Sequence, residues 1–212
     1  MTSIADLRQN YTRSGLTETD LDSNPYQQFK KWFDEALAAK INEPNAMTLA
    51  TVSKDGKPSA RMVLLKGYDQ RGFVFYTNYG SLKGQQLTEN PTAALVFWWG
   101  ELERQIRIEG QVKKVAATEA DDYFQSRPHD SQLGAWVSNQ SETIESRQVL
   151  EEKQEELRKK YAEKSIPRPD FWGGFRVIPN LIEFWQGRPS RLHDRLVYEL
   201  VDSDWVIKRL SP

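Results

Sequence analysis

The hydrophobic pattern of this chain changes its period at residue 46, and this change sets the fold class. From there apolar positions recur at every second residue, and residues 46–53 and 59–66 are rich in types that favour strands. The intervening Lys54-Asp55-Gly56-Lys57 is a strong hairpin signal, and a second turn at 68–72 precedes a strand at 73–77. Strands joined by such short turns pair antiparallel, because parallel pairs need long crossovers.

The remaining segments extend this meander and insert helices at its ends. Further strands are predicted at 92–99, 104–115, 173–178, 181–186, 192–200 and 205–210. Helices are predicted at 25–40 behind the cap Asn24, at 81–89, at 118–124 behind a Thr118–Asp121 capping box, at 131–137 and at 145–162. The pattern predicts a mostly β fold with peripheral helices (α+β), an antiparallel barrel rather than a sheet of βαβ units. Polar residues 1–24 are predicted to be a mobile arm, and residues 25–212 one domain.

Composition excludes several kinds of function. The 29 Lys and Arg residues are balanced by 30 Asp and Glu, which disfavours a nucleic-acid partner. No apolar run reaches the length of about 18 residues needed to span a membrane, so a cytoplasmic protein is expected. The chain has no cysteine and only two histidines, His129 and His193, which argues against thiolate chemistry and a histidine-rich metal site. Any chemistry must therefore come from a bound organic cofactor or from Arg, Lys, Tyr, Asp and Glu.

Residues 185–195 concentrate charge: three arginines, an aspartate and His193 lie within eleven positions. Strand alternation predicts that Arg191, His193 and Arg195 share one face. Since neighbouring guanidinium groups disfavour the imidazolium form, His193 is expected to stay neutral near pH 7. The set suits an anionic small molecule whose reactive end meets the imidazole. The alternative is a solvated edge strand of a basic hairpin.

Other polar residues are candidates for anion and ring contacts. Strand alternation sends Arg61 and Lys66 to opposite faces unless a bulge intervenes. Thr77, Ser81 and Lys83, with backbone N–H groups at a helix start, would form a phosphate pocket, or only a helix cap. Gln105 offers a donor and an acceptor to the edge of a heterocycle, or could pair with a neighbouring strand.

Tyr123, Arg127 and Ser131 recur four residues apart, but Pro128 breaks the helix between them. They can therefore converge on one anionic group from a helix end and the next helix start, or form a capping network. The chain has neither a GxGxxG motif nor a P-loop, so the usual nucleotide cradles are absent.

Six motifs together resemble the pyridoxine/pyridoxamine 5′-phosphate oxidase family. They are RMVLLK at 61–66, YTN at 76–78, RQ at 104–105, SRPHDSQLGAWVSNQS at 126–141, FWGGFRV at 171–177 and EFWQGRPSRLHDR at 183–195. The likeness runs from about residue 7 to residue 212 in the expected order. It implies an FMN-binding split β-barrel that acts as a homodimer, with FMN at the subunit interface. The implied enzyme is a flavin-dependent oxidoreductase that oxidises pyridoxine 5′-phosphate or pyridoxamine 5′-phosphate to pyridoxal 5′-phosphate, with O2 as acceptor and H2O2 as product.

The resemblance also implies residue roles. Cofactor contacts are expected from Arg61, Met62, Val63, Leu64, Leu65, Lys66, Tyr76, Thr77, Lys83, Gln105, Gln140, Ser141, Trp185 and Arg195, the last four residues being given by the second subunit. Substrate contacts are expected from Arg8, Tyr11, Lys66, Tyr123, Arg127, Ser131, Arg191 and His193. Within this set Arg191 and His193 are the expected catalytic pair, and Arg8 and Tyr11 form a partial lid.

One position departs from the family pattern. Where members of the family usually carry an arginine, this chain has Leu82, which removes one expected FMN phosphate contact. Two other functions remain possible: a split-barrel protein that binds flavin or haem without turnover, and a flavin reductase that uses nicotinamide. The phosphate-binding set of Tyr123, Arg127 and Ser131 favours the oxidase.

Overall fold

The structure is a computed structural model that describes residues 3–7, 10–162 and 164–212. Within these ranges the strands are β1 (Ala46–Val52), β2 (Pro58–Leu64), β3 (Gly67–Asp69), β4 (Gly72–Asn78), β5 (Thr92–Trp99), β6 (Arg104–Lys114), β7 (Trp172–Gln186), β8 (Asp194–Val201) and β9 (Asp204–Leu210). The α-helices are α1 (Pro25–Ala38), α2 (Leu82–Glu89), α3 (Ala117–Ser126), α4 (His129–Val137) and α5 (Arg147–Lys160). The predicted fold, mostly antiparallel β with peripheral helices, is confirmed.

The strands form one antiparallel sheet in the order β2-β1-β5-β6-β7-β4-β3, with β8 paired to β7 and β9 to β8. Strand β7 organises it, because β6 covers one of its edges while β4 and β8 share the other. The prediction of two separate strands at 173–178 and 181–186 is wrong. A register shift at Glu109/Gly110 keeps β6 paired along β7, and a side chain at Gly110 would lie 2.0 Å from the Ile178 carbonyl oxygen.

Helix α1 fills the interior of the barrel with aromatic side chains. It begins as predicted, since the Asn24 side chain accepts a hydrogen bond from the Tyr26 N–H and Pro25 is the first helical residue. Phe29 and Trp32 are fully buried, and the ring of Phe29 packs edge-on against Phe73. Burying each such side chain contributes about 1.5–3 kcal/mol, which ties the helix to the sheet.

A second apolar cluster joins the helices on the outside of the sheet. Phe124 of α3, Leu133 of α4 and Leu157 of α5 pack with Trp172 at the start of β7. The predicted capping box is wrong, because α3 begins at Ala117 and has no side-chain cap. Among the residues described, no helix has both the length and the apolar character needed to cross a membrane.

Part of the segment before α1 lies against the sheet. The backbone N–H groups of Thr12 and Arg13 donate to the Glu103 carboxylate, and the N–H of Leu16 donates to Asp194. Leu16 itself is buried. These contacts bring the segment to the starts of β6 and β8; the mobility of residues 1–24 stays a prediction.

Candidate active site

A cleft of about 630 Å³ opens between the β2–β4 side of the sheet and the helices α3 and α4. Its lining includes Arg61, Met62, Val63, Leu64, Lys66, Tyr76, Thr77, Asn78, Lys83, Tyr123, Arg127, Pro128, Ser131, Gly134, Ala135, Ser138, Gln140 and Trp172. Four of these side chains are cationic, and none of the described lining residues is an aspartate or glutamate. The cleft is therefore suited to anions.

Arg61 and Lys66 both line this cleft, although regular alternation would separate them. Strand β2 ends at Leu64, and the chain then turns toward β4, where the Lys66 N–H donates to the Val74 carbonyl. The side chain of Leu65 is buried in the core instead, so it does not line the cleft as expected of a cofactor contact. The turn thus returns Lys66 to the face of Arg61.

Lys83 stands in the first turn of α2 and is surrounded by neutral oxygens. Its ammonium donates to Gln140 Oε1 at 2.8 Å, to Thr77 Oγ1 at 3.2 Å and to Ser81 Oγ at 3.3 Å. Burial, with a smaller contribution from nearby Arg61, lowers the pKa of Lys83 to about 8. A bound phosphate would supply the negative charge that these partners lack.

Two of the backbone donors at the start of α2 are already engaged. The Leu82 N–H donates to Ser141 Oγ and the Gly84 N–H to Ser81 Oγ. The phosphate pocket predicted here therefore depends on side-chain cations more than on the helix terminus.

Arg61 is oriented by a buried polar network. Its Nη1 donates to Thr51 Oγ1 at 2.6 Å and to the Leu49 carbonyl at 3.1 Å. Gln86 lies at 3.4 Å from Nη2. Burial lowers the pKa of Arg61, and these acceptors carry no charge, so the guanidinium keeps its full attraction for an anion.

The predicted convergence of Tyr123, Arg127 and Ser131 is supported by their shared place on the cleft wall. Arg127 follows α3, and Ser131 lies in the first turn of α4, so the break at Pro128 brings the two side chains to one surface. Burial lowers the pKa of Arg127. Its Nη1 is buried and has no hydrogen-bond partner within the described part of the chain.

A second group of expected site residues lies elsewhere on the chain; we call it the Trp185 patch. It comprises Tyr11, Gln105, Trp185, Arg191, His193 and Arg195, and none of these six described residues lines the cleft. Gln105, Trp185 and Arg195 are direct cross-strand partners on β6, β7 and β8. The rings of Tyr11 and Trp185 are 5.7 Å apart, and Tyr11 covers Gly187, where a side chain would collide with it.

The local structure at 189–193 is a tight turn, so the predicted alternation of Arg191, His193 and Arg195 along a strand is wrong. Pro189–Arg191 form a 3-10 turn, and Ser190 and Arg191 have φ values of 58° and 62°. Strand β8 begins only at Asp194. The turn nevertheless leaves Arg191 close enough to influence the titration of His193.

Two features favour the neutral imidazole of His193: a hydrogen bond accepted at Nδ1 and a lowered pKa. Its Nδ1 accepts a hydrogen bond from the Arg188 N–H at 3.1 Å, and its ring lies 4.6 Å from that of Trp185. Burial and then the charge of Arg191 lower the pKa of His193, while Asp194 opposes them. With Nδ1 accepting, the neutral imidazole carries its proton on Nε2 and can donate from it.

Arg195 is oriented by a carboxylate that the sequence analysis missed. Its Nε and Nη2 donate to Glu183 at 2.7 and 3.1 Å, and Nη1 donates to the Ser211 carbonyl. Glu183 is 2% exposed and also accepts from Arg107. The alternation of β7, which sends Glu183 and Trp185 to the same face, could have indicated this pair.

The expectation that Gln140 and Ser141 come from a second subunit stays a prediction, although both residues make contacts within their own chain. Gln140 contacts Lys83 and Thr77 of its own chain, and Ser141 accepts from the Leu82 N–H. Arg8, the other expected lid residue, lies outside the described residues. Trp172 was also missed as a cleft residue; its place in the FWGGFRV motif was the available signal.

Two family models cover most of the chain. One described as pyridoxamine 5′-phosphate oxidase matches residues 33–161, and one described as pyridoxine 5′-phosphate oxidase C-terminal dimerisation region matches residues 172–212. The pyridoxine/pyridoxamine 5′-phosphate oxidase of Nostoc punctiforme is 66% identical over 211 residues, covering 99% of each chain. That of Synechocystis is 60% identical and covers 99% of this chain and 98% of the relative.

Solved structures show the same fold. PhzG from Burkholderia lata, in complex with tetrahydrophenazine-1-carboxylic acid, is 34% identical and has a TM-score of 0.87, covering 92% of this chain and 95% of that one. A pyridoxamine 5′-phosphate oxidase-related, FMN-binding protein from Nostoc punctiforme has a TM-score of 0.72 at 16% identity, covering 91% and 100%. The second likeness concerns the fold alone.

Proposed function

The chain belongs to the pyridoxine/pyridoxamine 5′-phosphate oxidase family, and from this premise we propose that it oxidises pyridoxine 5′-phosphate or pyridoxamine 5′-phosphate to pyridoxal 5′-phosphate with FMN. Oxygen is the proposed electron acceptor, and hydrogen peroxide the second product. One observation carries the proposal: the cleft is lined by four cationic side chains and by no acidic side chain among its described lining residues. We group the cations as two pairs, Arg61 with Lys83 and Lys66 with Arg127. FMN and the substrate each bring one phosphate.

The first pair fits the cofactor. Arg61 and Lys83, with the Thr77 hydroxyl and the Gln140 amide beside Lys83, would hold the FMN phosphate. Val63 and Leu64 on the same wall would lie along the flavin ring. When bound, FMN supplies the acceptor for a hydride equivalent and the route for its electrons to oxygen.

The second pair fits the substrate. Arg127 and Lys66, with the hydroxyls of Tyr123 and Ser131, would hold the substrate phosphate, because all four side chains line the same cleft. Fixing this end would hold the substrate with its 4′ carbon toward the flavin.

The Trp185 patch completes the site from a second copy of the chain. The matched dimerisation region, residues 172–212, contains Trp185, Arg191, His193 and Arg195, which supports this arrangement. In it, Arg191 and His193 of one subunit would cover the pyridine ring held by the cleft of the other, with Tyr11 closing over them. The neutral imidazole can donate from Nε2; we propose that it positions the substrate, with proton transfer as the lesser possibility.

A turnover assay tests the function directly. The purified protein with FMN, oxygen and pyridoxine 5′-phosphate or pyridoxamine 5′-phosphate should generate the aldehyde absorbance of pyridoxal 5′-phosphate together with peroxide. Tight FMN binding without turnover would support the flavin-binding module instead. Oxidation of a nicotinamide cofactor without substrate oxidation would support a flavin reductase.

FMN affinity should depend on pH through Lys83. Because its pKa is about 8, the ammonium is mostly present at pH 7 and lost as the pH rises above 8. If only the charged form holds the phosphate, the Kd for FMN rises by up to about tenfold per pH unit once the pH exceeds the Lys83 pKa of about 8 in the free protein. Fluorescence titrations from pH 7 to 9.5 measure this. Lys83→Arg, which stays charged, should flatten the curve; an equally steep curve in that variant would assign the dependence to another group.

Leu82→Arg should tighten FMN binding. Leu82 is the first residue of α2, next to Lys83, and its side chain is half exposed, so a longer cation can be accommodated. One restored charge-assisted hydrogen bond contributes about 1.5–3 kcal/mol, or roughly tenfold to a hundredfold in Kd. Leu82→Met, which adds length without charge, is the matched control. An unchanged Kd in Leu82→Arg would show that this position does not reach the phosphate.

A further inference from the structure

We propose that Trp172 is a positioning residue for Arg127: its indole face holds the guanidinium in the cleft so that the N–H donors remain directed at the substrate phosphate. The proposal rests on the function given above, because it assigns Arg127 to the phosphate of the phosphorylated substrate. Neither the motifs nor the comparisons assign a role to Trp172.

The surroundings of Arg127 contain aromatic rings in place of a counter-charge. Its Cζ lies 4.6 Å from the ring centre of Trp172 and 5.6 Å from that of Phe124. Its Nη1 is buried and has no hydrogen-bond partner among the described residues. The one described neighbour whose charge affects the pKa of Arg127 is the Tyr123 phenol, not a carboxylate. A half-buried cation is thus held without any acid to neutralise it.

This choice of partner has a functional consequence. A carboxylate against Arg127 would form a bidentate ion pair and compete with the incoming phosphate for the same N–H groups. An aromatic face attracts the cation through its ring quadrupole, which is weaker and leaves the N–H edge free. The arrangement therefore keeps the guanidinium in place while its donors remain available.

Trp172 is itself rigidly held. Its side chain is 7% exposed, and its ring stacks on Tyr76 at 5.5 Å with an angle of 11° between the planes. Phe124 packs against it edge-on at 5.2 Å. Its backbone oxygen accepts from Arg168, which is paired with Asp121. A ring fixed by several contacts offers the guanidinium of Arg127 a surface of defined orientation.

Trp172→Leu and Trp172→Phe separate positioning from packing. In the FMN-loaded protein, Trp172→Leu should raise the KM for pyridoxine 5′-phosphate by about five- to thirtyfold, the value of a desolvated cation–π contact. Its kcat should stay within about twofold, because the reacting end of the substrate is held by other residues. Trp172→Phe keeps an aromatic face and should recover most of the loss.

A double-variant cycle shows whether Trp172 acts through Arg127. In an Arg127→Ala background, Trp172→Leu should cause no further increase in KM, since the cation it positions is gone. The same cycle is measured calorimetrically with inorganic phosphate on FMN-loaded protein, where FMN already fills its own phosphate site. If Trp172→Leu raises KM and the phosphate Kd equally in the wild-type and Arg127→Ala backgrounds, the proposal is overturned. It is also overturned if Trp172→Leu leaves both KM and the phosphate Kd unchanged.

A fluorinated tryptophan at position 172 covers the case in which Trp172→Leu fails to fold. Successive ring fluorines weaken the quadrupole while nearly preserving shape, so KM and the phosphate Kd should rise steadily with fluorine number. If KM and the phosphate Kd do not change with fluorine number in folded protein, the proposal is refuted.

The failure of the proposed function can be told apart from the failure of this proposal. If the wild-type protein oxidises no phosphorylated substrate, the proposed function fails, but the phosphate titrations still decide whether Trp172 supports Arg127.

Discussion

Mixed dimers of Arg127→Ala and Arg191→Ala are expected to regain activity that neither variant has alone. Arg127 lines the cleft and Arg191 belongs to the Trp185 patch, and each site is proposed to combine the cleft of one subunit with the patch of the other. In a mixed dimer one site carries both substitutions and the other carries neither. With random pairing, about a quarter of all sites are intact, so activity should approach that fraction of the wild-type value.

The recovery is measurable because each single variant should be strongly impaired at a substrate concentration near the wild-type KM. Truncating one member of a buried charged contact costs about 2–5 kcal/mol, which is a loss of roughly thirtyfold to several thousandfold. Co-expression with two affinity tags isolates the mixed dimers, in which half of the sites are intact, so in the turnover assay at fixed FMN they should reach about half of the wild-type activity.

A second mixture serves as the control. Lys66 and Arg127 line the same cleft, so a dimer of Lys66→Ala with Arg127→Ala has one defect in each site and should regain nothing. Recovery in this control, or none in mixed dimers of Arg127→Ala and Arg191→Ala, would contradict a site shared between subunits.

Substitution of His193 or Arg191 should reduce turnover far more than FMN binding. Both are proposed to contact the substrate ring, whereas Arg61 and Lys83, which line the cleft, are proposed to hold the cofactor phosphate. Loss of orientation or proton transfer by one side chain lowers kcat by about 10²–10⁴-fold, while the Kd for FMN should stay within about twofold. Stopped-flow reduction and FMN titration measure the two effects separately.

Two variants of His193 separate positioning from proton transfer. His193→Asn can accept the Arg188 N–H in place of Nδ1, and His193→Gln can offer a donor near Nε2. Partial activity in His193→Gln without a change in the pH profile supports positioning. If both variants lose one limb of the pH dependence of kcat, this result supports proton transfer by His193. Lost FMN binding with normal turnover at saturating FMN would refute the assignment of His193.

Spacing along the chain predicted some parts of the site and failed at others. The four-residue intervals and Pro128 indicated that Tyr123, Arg127 and Ser131 share one surface, and all three line the cleft, because a helix break acts locally. Strand alternation, in contrast, predicted that Arg61 and Lys66 lie on opposite faces, because it assumed a regular strand through the turn after Leu64. It failed again at 191–195, where a 3-10 turn with left-handed residues replaces the strand.

Other partners in the site lie too far apart in sequence for any local pattern to join them. Glu183 meets Arg195 because β7 and β8 pair in a given register, and Trp172 meets Arg127 because α3 packs on the start of β7. The division between the cleft and the Trp185 patch likewise follows from how β4 and β8 share one edge of β7.

The amino-acid sequence alone determined the antiparallel strand meander, the helix cap at Asn24, and the absence of thiol chemistry, because periodicity and residue type act over a few neighbouring positions. Only the tertiary structure decided which cations share a cavity and which side chains orient them. Such convergence depends on strand register, a bulge at Gly110 and the packing of α3 and α4, and these are set by contacts across the whole chain.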